Sequence, residues 1–292
     1  MFTQFFGNYL LHKQLVSSEH LSEVLQSMKT TRLKLGVLAI NAGLMTAAQV
    51  EKAHLEQQRV DKRIGEVMVD MGFLTKDQVE ALFQTQPAGH LLLGQALVDN
   101  GYMTNSQFEE ALNSYKQENS ISENDFNDGS DEAAARLVKH FYNFSGGTNS
   151  AYMTSYISLL FKNLIRFIGD DFTPMDAKTV TGEVANCVVQ RISGGMNAIT
   201  IIDADNAAMI EFASRFAKEE LTEADEYTQA CVSEFINLHN GLFAVNMSND
   251  NGIELKLEPQ CYVDNMDISE LKNACIIPVC FSFGTVDFII SL

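Results

Sequence analysis

The sequence has no apolar run approaching the roughly 18 residues that a membrane-spanning helix needs. Its opening stretch, MFTQFFGNYLLHKQLV, lacks a basic leader, a continuous apolar segment and a small-residue cleavage site, so no secretory signal and a cytoplasmic location are expected. Cysteine is scarce. The five residues Cys187, Cys231, Cys261, Cys275 and Cys280 are odd in number and include no C-x-x-C pair. That argues against a disulfide framework and a zinc ribbon, and predicts free thiols and no metal site. Positive charge is scarce too, with 20 Lys and Arg against 38 Asp and Glu, a net charge of −18. The deficit is uneven: residues 1–119 hold 10 basic and 13 acidic side chains, residues 120–292 hold 10 and 25. An acidic surface repels phosphate backbones and anionic headgroups, so neither nucleic acid nor a membrane is expected as partner. A protein or a small ligand fits better.

A chain of 292 residues that is 46% hydrophobic has the length and apolar content for two domains with a core each. The first part is repetitive. Gly7, Gly36, Gly65 and Gly94 recur every 29 residues, and seven positions later stand Gln14, Gly43, Gly72 and Gly101. Three residues further come Ser17, Thr46, Thr75 and Thr104. Each copy reads as helix, break, helix. The second glycine suits a left-handed C′ position, and the hydroxyl residue suits an N-cap. Gln49, Gln78 and Gln107, three residues past their caps, complete capping boxes. Val16 with Leu21, Met45 with Val50, Leu74 with Val79 and Met103 with Phe108 are placed as hydrophobic staples.

Two copies carry a basic residue before the first glycine. The second has Lys34-Leu35-Gly36, Gly43 and a closing Gln57; the third has Arg63-Ile64-Gly65, Gly72 and Gln86. In this the unit is similar to the MshEN module at the N-terminus of type II secretion and pilus ATPases, whose tandem copies can bind cyclic di-GMP. The resemblance implies a ligand groove flanked by Lys34 and Arg63, with Gly36, Gln57, Gly65 and Gln86 contributing. The first and fourth copies have Phe5 and Leu92 at the basic position, and end in Met28 and Tyr115. A second reading stays open, that the glycines and apolar positions only pack a helical array.

Residues 120–149 read as an acidic linker with a helix over 133–144, and residues 150–292 as an α+β domain. An apolar helix is expected over Tyr152–Ile168, then strands at Val184–Ile192 and Ala198–Ile202, then a helix capped by Asp203 or Asp205. Thr222-Glu-Ala-Asp225 reads as a capping box opening a helix to Asn240. Strands are expected at Leu242–Met247 and Ile253–Leu257 around an Asn251-Gly252 hairpin, and again at Ala274–Phe281 and Val286–Leu292. Long helix then strands, twice, predicts a pseudo-symmetric domain with helices on an antiparallel-rich sheet. The run Ala274–Phe281 is apolar on both faces yet contains Pro278, which predicts an edge strand covered by a second copy, by the linker helix or by the repeats.

Glu-x-x-Asn occurs four times, at Glu110/Asn113, Glu183/Asn186, Glu234/Asn237 and Glu270/Asn273. Only Glu234-Phe-Ile-Asn237 combines a capped long helix with a following Gly241 and with Pro259. At i and i+3, the two side chains share the polar edge of a helix whose apolar stripe is Cys231, Phe235 and Leu238. Here the chain resembles the CheX, CheC and FliY chemotaxis phosphatases over residues 150–292. The resemblance implies Glu234 and Asn237 as catalytic residues and a phosphorylated receiver domain as partner and substrate. Asn237 would order the attacking water and Glu234 would pair with the receiver's lysine. It also implies a homodimer, and no cofactor on this chain, magnesium being carried by the receiver. Two other readings stay open: a non-catalytic binding module that keeps the fold, and a phosphatase controlled by a nucleotide-sensing repeat array.

Overall fold

The computed structural model describes residues 2–84, 89–119, 131–142, 144 and 148–292. The chain divides into two compact units, Phe6–Asn127, and Asp128–Leu292 together with Met1–Phe5. Gln86 and most of the acidic linker lie outside the described residues.

The first unit is helical throughout. Its α-helices are α1 (Phe2–His12, shared with the other unit), α2 (Ser18–Ser27), α3 (Leu35–Asn41), α4 (Ala47–Gln57), α5 (Ile64–Asp70), α6 (Lys76–Gln84), α7 (Gly89–Asp99) and α8 (Asn105–Glu118). Odd and even members form pairs. Each pair breaks at a residue with positive φ: Gln14 at 55°, Gly43 at 65°, Gly72 at 71° and Gly101 at 74°. Glycine takes that conformation without a Cβ penalty, while the first pair bears it with glutamine. Ser17, Thr46, Thr75 and Thr104 then accept the N3 backbone N–H of the next helix at 3.2–3.3 Å. The core is lined by Phe6, Leu21, Val24, Met68, Phe108 and Tyr115, all 1% exposed or less.

The second unit is a sheet with helices on one face. Its elements are α9 (Asp131–Phe141), α10 (Thr148–Phe167), β1 (Phe172–Pro174), β2 (Lys178–Thr179), β3 (Glu183–Gly194), β4 (Ala198–Ala204), α11 (Asn206–Ala217), α12 (Glu226–Asn251), β5 (Leu255–Leu257), β6 (Cys261–Asp267), β7 (Ala274–Phe281) and β8 (Gly284–Ser291). All pairings are antiparallel, in the order β1-β7-β8-β4-β3-β5, with β2 also on β7 and β6 also on β3. The sheet therefore has an internal two-fold between β4 and β8: on its outer side β7 pairs with β1 and β2 in turn, and β3 with β5 and β6. Phe212, Phe235, Phe281 and Phe288 fill the helix side, all 1% exposed or less. Strand alternation puts Cys187, Val189, Ile199, Ile201 and Ile289 on the opposite face, where Ile268 covers them.

Three expectations need correction. Residues 242–247 are not a strand, because α12 runs unbroken through Gly241 to Asn251. Its buried positions Phe235, Ile236, His239, Asn240, Phe243 and Met247 step by three and four, so burying the last two offsets the roughly 1 kcal/mol that a mid-helix glycine costs. Gly252 is then the left-handed cap of that helix, at φ 65°, and not part of a hairpin turn. At the other end the N-cap is Asp225, whose carboxylate accepts the Thr228 N–H at 2.9 Å; Thr222 lies before the helix. Finally, β7 is not an edge. β1 and β2 cover it from within the chain, pairing with Val279–Phe281 and with Cys275–Ile276. Pro278 falls where the cover passes from one short strand to the other, so its missing N–H interrupts little of the ladder. With β7 paired along that side within the chain, no second copy is needed to cover it.

Candidate functional site

Helix α12 carries the Glu-x-x-Asn pair on its outer side. Glu234 is exposed and Asn237 partly buried, while Phe235 and Ile236 between them point into the core. Among the described residues Glu234 has no ion-pair partner on this chain. From Tyr227 to Asn249 it is the only charged residue of the helix. Tyr227 (53% exposed), Leu242 (38%) and Val245 (56%) lie uncovered along the same element. The outer face is thus a largely uncharged strip with one carboxylate.

Asn237 is anchored from below. Its Oδ1 accepts a hydrogen bond from Gln190 Nε2 on β3 at 3.1 Å, and the same Nε2 donates to the main-chain carbonyl of Glu258 at 3.0 Å. Gln190 Oε1 accepts from Asn240 Nδ2 at 2.8 Å. Asn240 Oδ1 in turn accepts from the Tyr156 hydroxyl at 2.6 Å and from Thr200 Oγ1 at 3.1 Å. Gln190, Asn240, Tyr156 and Thr200 are all 3% exposed or less. Burial pushes the Tyr156 phenol well above its ordinary value, so it stays a donor. The sequence reading missed Gln190 and Asn240. The available signal was a lone amide in the apolar strand run Cys187–Ile192.

Pro259, the other motif residue, sits in the turn between β5 and β6. Gln190 bonds to the carbonyl just before it, so helix and turn meet at one side chain. His239 is buried on the inner face of α12. Asn163 of α10 donates to its Nδ1 at 3.0 Å, and burial lowers its pKa to about 3. It is neutral and out of reach of the outer face, so it serves as neither base nor ligand there. The other Glu-x-x-Asn pairs lie elsewhere, and Asn186 bonds to the Tyr262 hydroxyl at 3.0 Å. Among the described residues no three His, Cys, Asp or Glu side chains gather as a metal site.

In the first unit the predicted groove residues separate. Arg63 and Gly65 line a cleft of about 880 Å³ with Lys62, Lys76, Glu80 and Phe83. Gln57 Nε2 reaches the Lys62 carbonyl at 3.3 Å, just ahead of that cleft. Lys34 is not part of it: its Nζ pairs with Asp99 at 2.6 Å and its N–H with Gln95 Oε1 at 3.1 Å, both on α7. Gly36 packs against Val50, where a Cβ would approach to 2.6 Å. The cleft's Lys62, Arg63 and Lys76 are matched by Glu66, Asp70 and Glu80, so it offers an anion no net attraction.

No family model matches the sequence, and no curated protein matches it either. Solved structures similar to about half of the chain are chemotaxis proteins. A CheC-like superfamily protein from Shewanella sp. PV-4 is 18% identical with a TM-score of 0.42, covering 48% of this chain and 96% of its own. A chemotaxis protein CheX from Desulfovibrio desulfuricans is 17% identical with a TM-score of 0.40, covering 47% and 95%. A CheX–CheY–BeF3–Mg2+ complex from Borrelia burgdorferi contains a chain 20% identical with a TM-score of 0.41, covering 48% and 96%.

Proposed function

We propose that the C-terminal unit is a phosphatase of a phosphorylated receiver domain, with α12 as the face that docks. The observation that carries this reading is the exposed pair Glu234 and Asn237 on one helix edge, the first without an ion-pair partner among the described residues and the second held from beneath. A receiver supplies the aspartyl phosphate, its magnesium ion and a lysine. This chain adds position. Glu234 pairs with the lysine and sets the register of the helix, while the uncharged strip of Tyr227, Leu242 and Val245 packs on the receiver surface. Asn237 then holds a water in line with the phosphorus. Its carbonyl oxygen has two lone pairs, and Gln190 occupies one, leaving the other to accept from the water. The water's oxygen attacks phosphorus, the bond to the aspartyl oxygen breaks with its electron pair returning to the carboxylate, and both protons of the water leave on inorganic phosphate as dihydrogen phosphate. Glutamines of GTPases orient water in a comparable way.

The first unit would act as a sensory or scaffolding array for this activity, and its resemblance to MshEN repeats names cyclic di-GMP as the ligand to try. The phosphatase reading is tested by decay of phosphorylated receivers with and without the full chain. Asn237→Ala should abolish the acceleration with the fold retained, since the truncation removes no core. Glu234→Ala should mainly raise the receiver concentration needed. Activity of Asn237→Ala within a few-fold of wild type would refute the assignment, and the domain would then be a binding module.

A further inference from the structure

Gln190 occupies an unusual place in the sheet. β6 pairs with β3 as far as Val189↔Cys261, and β5 begins at Ile192↔Leu257, so Gln190 lies in the gap where the Glu258-Pro259 turn crosses. It is 1% exposed, yet all three of its hydrogen-bonding valences toward this turn and helix are used. The orientation of the amide follows from its partners. A main-chain carbonyl only accepts, so the atom facing Glu258 must be Nε2. The second proton on Nε2 points to Asn237, whose facing atom must then be Oδ1. Asn240 is fixed by the same logic, with Nδ2 toward Gln190 and Oδ1 toward the two hydroxyls. A satisfied buried network of this kind allows one arrangement, because any flip places two donors or two acceptors face to face.

We infer that Gln190 is the positioning residue of the site: it holds the Asn237 amide in one orientation and ties the same amide to the Pro259 turn. The inference rests on the phosphatase reading for its kinetic consequence, though not for its geometry. Asn237 at a helix surface would otherwise sample several rotamers and both amide orientations. A water-ordering group gains from being pre-set, because small displacements of a positioned reactant cost up to about a hundredfold in rate. Gln190 does not touch the outer face, so it acts only through Asn237.

The test uses the full chain and compares wild type with Gln190→Leu, measuring receiver dephosphorylation against receiver concentration. Gln190→Leu should lower the maximal rate about tenfold with KM within twofold. An undiminished maximal rate in folded Gln190→Leu, or a loss confined to KM, overturns the proposal. NMR relaxation of the Asn237 side-chain amide in wild-type protein reads the anchoring without any variant at position 190. A rigid amide, with an order parameter near about 0.8, is expected, and a value below about 0.6 overturns the proposal. If the wild type accelerates no receiver's dephosphorylation, the phosphatase reading falls while the relaxation measurement still decides whether Gln190 holds Asn237.

Discussion

Replacing the first glycine of three repeats by alanine should produce a graded loss of stability, ordered by what each new methyl meets. At Gly94 a Cβ would stand 2.1, 2.5 and 2.9 Å from three ring atoms of Phe108, which is fully buried against Phe6. At Gly36 it would stand 2.6 Å from Val50 Cγ1. At Gly65 the nearest atoms, on Val79 and Leu35, are 3.2 and 3.3 Å away. In all three the main contact is 14 residues downstream, so these are equivalent crossings of one helix pair. Overpacking costs about 1–3 kcal/mol, and alanine returns up to about 1 kcal/mol of helix propensity. An aromatic ring locked in a core yields least, so Gly94→Ala should lose about 2 kcal/mol. Val50, a β-branched residue with one strongly preferred helical rotamer, also yields poorly, and Gly36→Ala should lose about 1 kcal/mol. Gly65→Ala needs a shift of a few tenths of an ångström, and should be neutral to slightly stabilising.

Native-state hydrogen exchange in the full chain measures this series, because amides of α3, α5 and α7 report local opening free energies without dissecting the protein. The order Gly94, Gly36, Gly65 is the expected result. Equal effects at the three positions, or a stabilised Gly94→Ala, would refute the claim that these glycines exist for helix contact. The result bears on function as well. A glycine kept only for ligand approach would tolerate a methyl when no ligand is present.

Asp203 faces Asp287 across β4 and β8, and burial together with that charge raises its pKa from 3.8 to about 6. The folded state therefore binds this proton more tightly than the unfolded chain, so stability should rise as pH falls from 7 toward 5. Asp203→Asn should flatten that slope and add about 1 kcal/mol at pH 7, a figure discounted for partial exposure and read from urea midpoints. Asp171 works the other way. Against the effect of burial, hydrogen bonds from Arg215 and Ser282 hold its carboxyl below the ordinary range, so its contribution is lost only at lower pH. Arg215→Ala removes a bidentate pair at 2.6 and 3.0 Å and strands Asp171 largely buried, which should cost about 2–3 kcal/mol in the same assay. On the cyclic di-GMP reading, saturating nucleotide should raise the melting temperature, Arg63→Ala should remove the shift, and Lys34→Ala should leave it, because Lys34 is engaged with Asp99 away from the cleft. No shift in the wild type would return the first unit to a protein-binding scaffold.

Much of this architecture could be read from residue spacing, and the misses have physical causes. The 29-residue period located the four breaks and their caps because glycine, hydroxyl and glutamine each have a local reason to stand where they do. Strands β3, β4, β7 and β8 were visible as apolar runs. Residues 242–247 misled because Leu-Phe-Ala-Val after a glycine suits a strand as well as a helix, and only the buried partners Phe243 and Met247 decide between them. β1 and β2 are three and two residues long, too short to carry a pattern, and without them β7 looked like an edge. Glu234 and Asn237 could be placed on one helix edge by their spacing alone. Their support could not, since Gln190 is 47 residues away from Asn237 and its other partners lie one turn further along α12 and in the turn before Pro259. The placement of Lys34 failed for a related reason: the repeat predicts equivalent environments, while α7 supplies an acid and an amide that reach only one copy.

The internal two-fold of the sheet also accounts for the candidate pair standing on one long helix and not on both. At the break between β5 and β6 the Glu258 N–H bonds to the Arg191 carbonyl at 2.9 Å; at the break between β1 and β2 the Met175 N–H bonds to the Pro278 carbonyl at 2.8 Å. These bonds occupy equivalent places, so the residues just before them, Gln190 and Ile277, correspond, and both face the helices. Ile277 is fully buried and has no amide to anchor anything. The helix that corresponds to α12 is α10, which has no acidic residue from Tyr152 to Phe167. Its Asn163 is 3% exposed and committed to His239 on the other long helix. Carboxylate, outward amide and anchor are therefore all missing from that half. Introducing glutamine at 277 alone would bury an amide beside the Met175 carbonyl, the counterpart of the Glu258 carbonyl, which already accepts from the Tyr142 hydroxyl at 2.8 Å; this should cost about 1–3 kcal/mol and would create no second site. On α12 the three features occur together, and in the proposed reaction each depends on the others for its use.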